Sequence, residues 1–130
     1  MRYKYSDGGR AKSRRPKQKN DCSVRAYAIA TGEDYDTVFD KLKKFGRKNN
    51  CGCPDSALYG VYGEKFYYAK TINNHYRAVT VRQFLKTLKT GNYIIHLYDH
   101  VFAIKNGVIY DACKKQKLLD SVIYGVWIKI

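Results

Sequence analysis

The dipeptide Asn106-Gly107 constrains this chain more than any other feature. Both residues tolerate the left-handed backbone that a two-residue type I′ turn demands at its central positions. Apolar, β-forming runs stand on either side, His100–Lys105 and Val108–Ala112, so the segment is expected to fold as a hairpin. A two-residue turn also sets the register: Lys105 faces Val108, Ile104 faces Ile109 and Phe102 faces Asp111. Directly opposed residues project from one sheet face, as do residues two apart on a strand. His100, Phe102, Ile104, Ile109, Asp111 and Cys113 are therefore expected to share a face. His100 and Asp111 become diagonal neighbours on it, about 7–8 Å apart at Cα, within reach for a carboxylate to hold an imidazole in one tautomer. The face is otherwise apolar, and an aspartate there without a partner would cost several kcal/mol; pairing with His100 removes that cost.

The remaining elements follow from periodicity and end signals. With 130 residues the chain fits one domain. A first helix is expected from Cys22, with Val24, Tyr27 and Ala28 on one stripe and Gly32 as its stop. Asn20 or Asp21 is its natural N-cap, which puts Cys22 in the opening turn. A second helix starts from an Asp34 cap and turns Val38, Leu42 and Phe45 inward. Residues 46–63 read as a long Gly-, Asn- and Cys-containing loop, followed by a short strand at Phe66-Tyr67-Tyr68. Thr80 and Gln83 form a capping box for a third helix carrying Val81, Phe84, Leu85 and Leu88, ended by Gly91. Strands are expected at Tyr93–Tyr98 and Val122–Ile130. Helices first and an antiparallel sheet afterwards make an α+β layout.

Charge is uneven along the chain. The formal net charge is +14, and residues 1–19 hold Arg2, Lys4, Arg10, Lys12, Arg14, Arg15, Lys17 and Lys19 against the single acid Asp7. This stretch reads as a basic N-terminal arm, with residues 1–15 adding little to the core. Arg10, Lys12, Arg14, Arg15, Lys17 and Lys19 are candidates for binding a polyanion, either nucleic acid or an acidic protein surface. No nucleic-acid motif such as a helix-turn-helix or zinc finger is present. No apolar run approaches the ~20 residues of a membrane span and no signal-peptide stretch opens the chain, so a cytoplasmic protein with reduced cysteines is expected.

Among the four cysteines, Cys22 has the setting that makes a nucleophile. A thiol attacks carbonyls as thiolate, and a helix N-terminus together with a nearby imidazole favours that form. Cys113, expected opposite His100, is a backup without the helix field. Cys51-Gly52-Cys53, even with His75 or Cys113, lacks the paired C-x₂₋₄-C spacing of structural zinc, and neither metal nor cofactor is expected. His96 reads as a histidine at the edge of the core and His75 as a loop residue.

Two segments carry a family resemblance. Asn20-Asp21-Cys22-Ser23-Val24-Arg25-Ala26, leading into an alanine-rich helix that ends at Thr31-Gly32, resembles the nucleophile helix of papain-like cysteine peptidases. His100-Val101-Phe102-Ala103-Ile104, then Asn106-Gly107 and Tyr110-Asp111, resembles their histidine strand and following acidic strand. The likeness is greatest to short phage-encoded members and the bacteriocin-leader peptidase branch, and covers about residues 16–40 and 90–115. It implies a papain-like catalytic domain over 20–130 in which Cys22 is nucleophile, His100 base and Asp111 orienting acid. It also implies an oxyanion-binding glutamine before the cysteine. Gln18 stands four residues ahead, closer than usual, with Asn20 as competitor, and Ser23 stands where many relatives have glycine. The function implied is that of a peptidase, isopeptidase or thioesterase acting on a protein or peptide, or of an acyltransferase built from the same parts, in a host cytoplasm if the chain is phage-encoded. The rival reading is a catalytically inert basic binding protein on the same scaffold.

Overall fold

The computed structural model describes residues 2–70, 79–87, 90–112 and 118–130. His75, Leu88 and Cys113 lie outside the described residues, and with them the zinc and backup-nucleophile readings that used His75 and Cys113. The fold is α+β. Strand β1 (Arg2–Tyr5) is followed by helices α1 (Cys22–Thr31), α2 (Tyr35–Lys44) and α3 (Asp55–Tyr62). Then come β2 (Phe66–Lys70), α4 (Val81–Thr87), β3 (Asn92–His96), β4 (Val101–Lys105), β5 (Val108–Asp111) and β6 (Gly125–Lys129).

The strands form one sheet in the order β1-β5-β4-β3-β6-β2. The hairpin is built on the expected turn. Asn106 and Gly107 have φ of 50° and 78°, the positive pair that the type I′ geometry needs, and Lys105 pairs with Val108 and Ile104 with Ile109. The sheet is mixed rather than antiparallel throughout, because β1 lies parallel to β5 at its edge. The N-terminal segment thus contributes a strand, Arg2–Tyr5, to the sheet. Its backbone completes an otherwise open strand edge, a stronger demand than the solvation of its charges.

Residues 46–63 also depart from the sequence reading. A helix, α3, occupies 55–62, and its Ala57, Leu58, Val61 and Tyr62 are buried. Flanking glycines and cysteines masked a short apolar stripe of helical spacing. The other two expected helices carry the expected caps. Asp34 accepts from the Thr37 N–H at 3.3 Å, while Thr80 and Gln83 exchange reciprocal bonds of 3.0 and 3.3 Å.

Successive strand residues feed opposite cores. Ile94, Val101, Ala103 and Trp127 pack with α1, α2 and α3, whereas Ile95, Phe102, Ile104, Ile109 and Val126 pack with α4 and with Leu118, Leu119 and Ile123. Both sheet faces are covered, which is why β3 and β4 read as continuous apolar runs rather than as alternation. Ala26, Ala28 and Ala30 let α1 lie close on the sheet, and Asn92 Nδ2 donates to the Ala30 carbonyl at 3.1 Å at the far end. The N-terminus of α1 is thereby held where β4 begins and β5 ends.

Candidate functional site

Cys22 is the first residue of α1, where unpaired backbone N–H groups and the aligned peptide dipoles favour negative charge. The thiol is half-buried. It shares a hydrogen bond with the His100 imidazole and accepts one from the Val101 N–H. Burial alone would raise its pKa, but these bonds and the charges of His100 and Arg25 outweigh burial and lower it below the ordinary thiol value. His100 immediately precedes β4, and its Nε2 lies 2.6 Å from Asp111 Oδ2 at the end of β5. Burial opposes a charged imidazole, yet the partnership with Asp111 and Cys22 prevails and pushes its pKa up to about 10. Donor Nε2–H on the carboxylate leaves Nδ1 as the nitrogen that serves the thiol. Cys22, His100 and Asp111, named from the sequence, therefore meet in one hydrogen-bonded series. Phe102 stacks on the His100 ring with centroids 6.1 Å apart and limits its rotation.

Asp111 is 2% exposed and is held from three sides. Besides His100, Arg25 Nη1 lies 3.4 Å from Oδ1, while the Tyr3 hydroxyl and the Ser6 N–H both donate to its backbone carbonyl. Arg25 in turn lies with Nε 3.2 Å from Asp21, whose carboxylate also receives Arg10 at 3.1 Å and the Tyr35 hydroxyl at 2.7 Å. Asp21 occupies the N-cap position of α1 but its side chain makes no capping bond, being spent on these partners. Sequence reasoning passed over Arg25. A charged residue within an alanine-rich, buried helix was the available signal, since burying an unpaired guanidinium is prohibitively costly.

The basic residues of the N-terminal segment divide accordingly. Arg10 is engaged with Asp21, and Arg14 and Arg15 with Asp36 and Asp40, with Arg15 Nη1 2.6 Å from Asp36. Their guanidinium groups are paired with acids of the same chain, although the Arg14 side chain stays 73% exposed. Lys12, Lys17 and Lys19 are exposed and form no ion pair among the described residues.

A cleft of about 610 Å³ opens over the thiol, lined by Lys17, Gln18, Lys19, Asn20, Cys22 and His100 among others. The two oxyanion candidates differ here. Asn20 donates one of its two Nδ2 hydrogens to the Asn50 carbonyl at 2.9 Å, which ties that amide to the loop. Gln18 is bonded through its oxygen, which accepts from Arg47 Nη2 at 3.2 Å and from the Asn50 N–H, leaving Nε2 as the donor end. An adjoining cavity of about 250 Å³ is lined by Cys53, Asp55, His96, Tyr98 and Asp99 together with Cys22. Cys53 is no rival nucleophile, because burial pushes its thiol up to about 11. His96 is bonded to the Tyr68 hydroxyl at 2.9 Å, and burial lowers its pKa. Among the described residues no group of three or more His, Cys, Asp or Glu side chains is arranged to hold a metal ion, and no helix is long and apolar enough to cross a membrane. Compared with protein-family models, curated proteins and solved structures, the chain matches none.

Proposed function

We propose that this chain is a papain-like cysteine hydrolase that cleaves an amide, isopeptide or thioester bond of a protein or peptide substrate. One observation carries the reading: the His100 ring is hydrogen-bonded at once to Asp111 and to a thiol at a helix N-terminus. A helix-borne Cys followed in the chain by His and Asp on adjacent antiparallel strands is also the order of that family.

Chemically, the lowered thiol and raised imidazole favour a thiolate–imidazolium pair at neutral pH. Cys22 Sγ attacks the carbonyl carbon, and the carbonyl π pair moves onto oxygen. The resulting oxyanion meets the Cys22 N–H and the Gln18 amide N–H. Collapse of this adduct expels the leaving group, which takes the imidazolium proton of His100 and leaves a thioacyl-enzyme. Neutral His100 then removes a proton from water as the water oxygen attacks the thioester, and the acid is released as Cys22 regains its thiolate. Asp111 keeps the ring in the tautomer that serves sulfur and stabilises the imidazolium.

Alkylation by iodoacetamide across pH tests the pair. Cys22 should remain reactive well below the pH at which an ordinary thiol loses its thiolate, and faster than Cys51 or Cys53. In His100→Ala, only the Val101 N–H and the Arg25 charge remain to oppose burial, so the reactive limb should move to higher pH. Cys22→Ala and His100→Ala should each abolish hydrolysis, by at least ~10³-fold, with the double variant no worse. Retention of the native biological activity by Cys22→Ala would eliminate the enzyme reading.

The exposed Lys17 and Lys19 on the cleft wall favour a second reading, an inert scaffold binding an acidic partner over the cleft. It requires steeply salt-dependent affinity for a polyanion and an unexceptional Cys22 thiol.

A further inference from the structure

We infer that Arg47 is a positioning residue of the cleft, fixing the polarity of the Gln18 amide so that its NH₂ group, not its oxygen, meets the substrate. The inference rests on the hydrolase reading and extends it to a residue on a separate segment. Arg47 follows α2 and is 2% exposed, with its backbone N–H bonded to the Leu42 carbonyl at 3.0 Å and its guanidinium 5.2 Å from the centre of the Phe39 ring. Its Nη2 lies within 3.2–3.3 Å of three oxygens in the segment before the nucleophile: Gln18 Oε1, the Lys19 carbonyl and the Asn20 carbonyl. Asn50 closes the clamp. Its N–H donates to Gln18 Oε1, its Oδ1 accepts from the Lys19 N–H at 2.8 Å and its carbonyl accepts from Asn20 Nδ2 at 2.9 Å.

Chemistry allows the Gln18 amide one orientation in this clamp. A guanidinium and a backbone N–H are donors only, so the group facing them must be the amide oxygen. Turning the amide over would set its NH₂ against two donors, one of them charged, and would leave an acceptor facing the developing oxyanion. Gln18 and Cys22 line the same cleft, and the amide end that Arg47 leaves over is the one we assign to the oxyanion. The other buried guanidinium that serves the site, Arg25, touches Asp111 and not Gln18. The two arginines thus act on different groups, Arg25 on the imidazole's carboxylate and Arg47 on the oxyanion donor.

Two probes on the full chain separate these roles. Hydrolysis of p-nitrophenyl acetate passes through a tetrahedral oxyanion; alkylation by iodoacetamide needs the thiolate but forms none. Arg47→Met and Gln18→Ala should each slow acylation by the ester at least ~10-fold, in the range for loss of one oxyanion donor, while alkylation stays within ~2-fold of native. Arg47→Lys, which keeps a cationic donor of shorter reach, should recover part of the ester rate. The double variant should be no slower than Gln18→Ala, because Arg47 acts through that side chain. Should Arg47→Met fail to fold, the intermediate rate of Arg47→Lys with unchanged alkylation carries the test. Native ester hydrolysis in Arg47→Met, additive losses in the double variant, or equal losses of both reactions would overturn the role of Arg47 alone. A native protein inert to the ester, with an ordinary Cys22 thiol, would instead remove the hydrolase reading and this inference with it.

Discussion

The hairpin from His100 to Asp111 and the segment from Arg2 to Asp21 both support the same imidazole, yet they are specified in different ways. His100 and Asp111 are 11 residues apart, and a two-residue turn with alternating side chains suffices to bring them together. Tyr3 and Asp111 are 108 residues apart, joined through a parallel strand pairing that no local rule announces. Arg10 and Asp21 are as close in sequence as the hairpin pair, 11 residues, but an irregular loop and not a regular turn joins them. The hairpin supplies the imidazole and the carboxylate of the proposed site, and the N-terminal segment fixes the backbone and counter-ions behind them. Charge density in the second region advertised binding, whereas the structure commits most of its arginines to internal acids.

The largest effect that tests this contrast comes from deleting residues 2–10. This removes an edge strand, two bonds to the Asp111 carbonyl and the Arg10 partner of buried Asp21. We expect a loss of about 3 kcal/mol, or roughly 10 °C in Tm, since a buried ion pair broken on one side is costly. Thermal unfolding by circular dichroism reads it, and an unchanged Tm would return the segment to the status of an arm. A gentler probe is Gly8→Ala. Gly8 has φ +69°, and a Cβ there would meet Arg25 Cα at 2.8 Å, so about 1–3 kcal/mol should be lost without any change in charge.

Within the hairpin, Asp111→Asn keeps a hydrogen-bond acceptor but removes the charge that raises His100. Hydrolysis should fall about 10–100-fold, less than for loss of Cys22 or His100, and the high-pH limb of alkylation should shift down. The stability profile should shift as well. His100 is raised above its ordinary 6.5, so its stabilisation is full below about that pH and lost as pH rises through about 10. The lowered Cys22 thiol acts in the opposite sense, adding stability as pH rises toward 9.0, so denaturant melts between pH 6 and 10 should show that decline in Cys22→Ala and a smaller one when Asp111→Asn is added to it. A matching decline in both would mean that the carboxylate does not hold the imidazolium.

The N-terminal segment answers to the opposite end of the pH scale. The Arg14 N–H and the Arg15 guanidinium hold Asp36 below the usual carboxylate range, against a raising effect of burial. A depressed carboxylate stabilises above its unfolded pKa and loses that contribution as pH falls through the folded one, so the arginine contacts should weaken below about pH 4. The smallest effect belongs to the free lysines. Lys17→Ala with Lys19→Ala should leave the unfolding free energy within about 0.5 kcal/mol of native and lower the salt slope of any polyanion binding by about 1 per contact removed. A steep slope that survives the pair of substitutions would place the binding surface elsewhere.

What the sequence made legible follows the same division. The hairpin register, the Asp34 and Thr80 caps, the Gly32 stop and the placing of Cys22 at a helix start all rest on interactions within a dozen residues. The α+β class came with them. Strand β1 was missed because its partner lies at the other end of the chain, and α3 because Gly and Cys around it obscured a two-turn stripe. Arg25 and Arg47 were passed over because a lone arginine shows neither its burial nor its acceptors until distant loops are in place. Gln18 was named, but the choice between it and Asn20 turned on Asn50 and Arg47, residues that no spacing rule connects to either.

The parallel pairing of β1 with β5 also sets an order in time. The first strand synthesised is joined to one of the last, and Cys22 leaves the ribosome roughly 90 residues before Asp111, about 5–20 s earlier at ordinary elongation rates. During that interval the thiol has a helix start but neither imidazole nor carboxylate. A nascent chain arrested before Val108 should therefore alkylate as an ordinary cysteine. On the hydrolase reading, the newborn protein is chemically silent beside the translation machinery, and its thiol gains reactivity only as the hairpin docks and strand β1 closes the sheet edge.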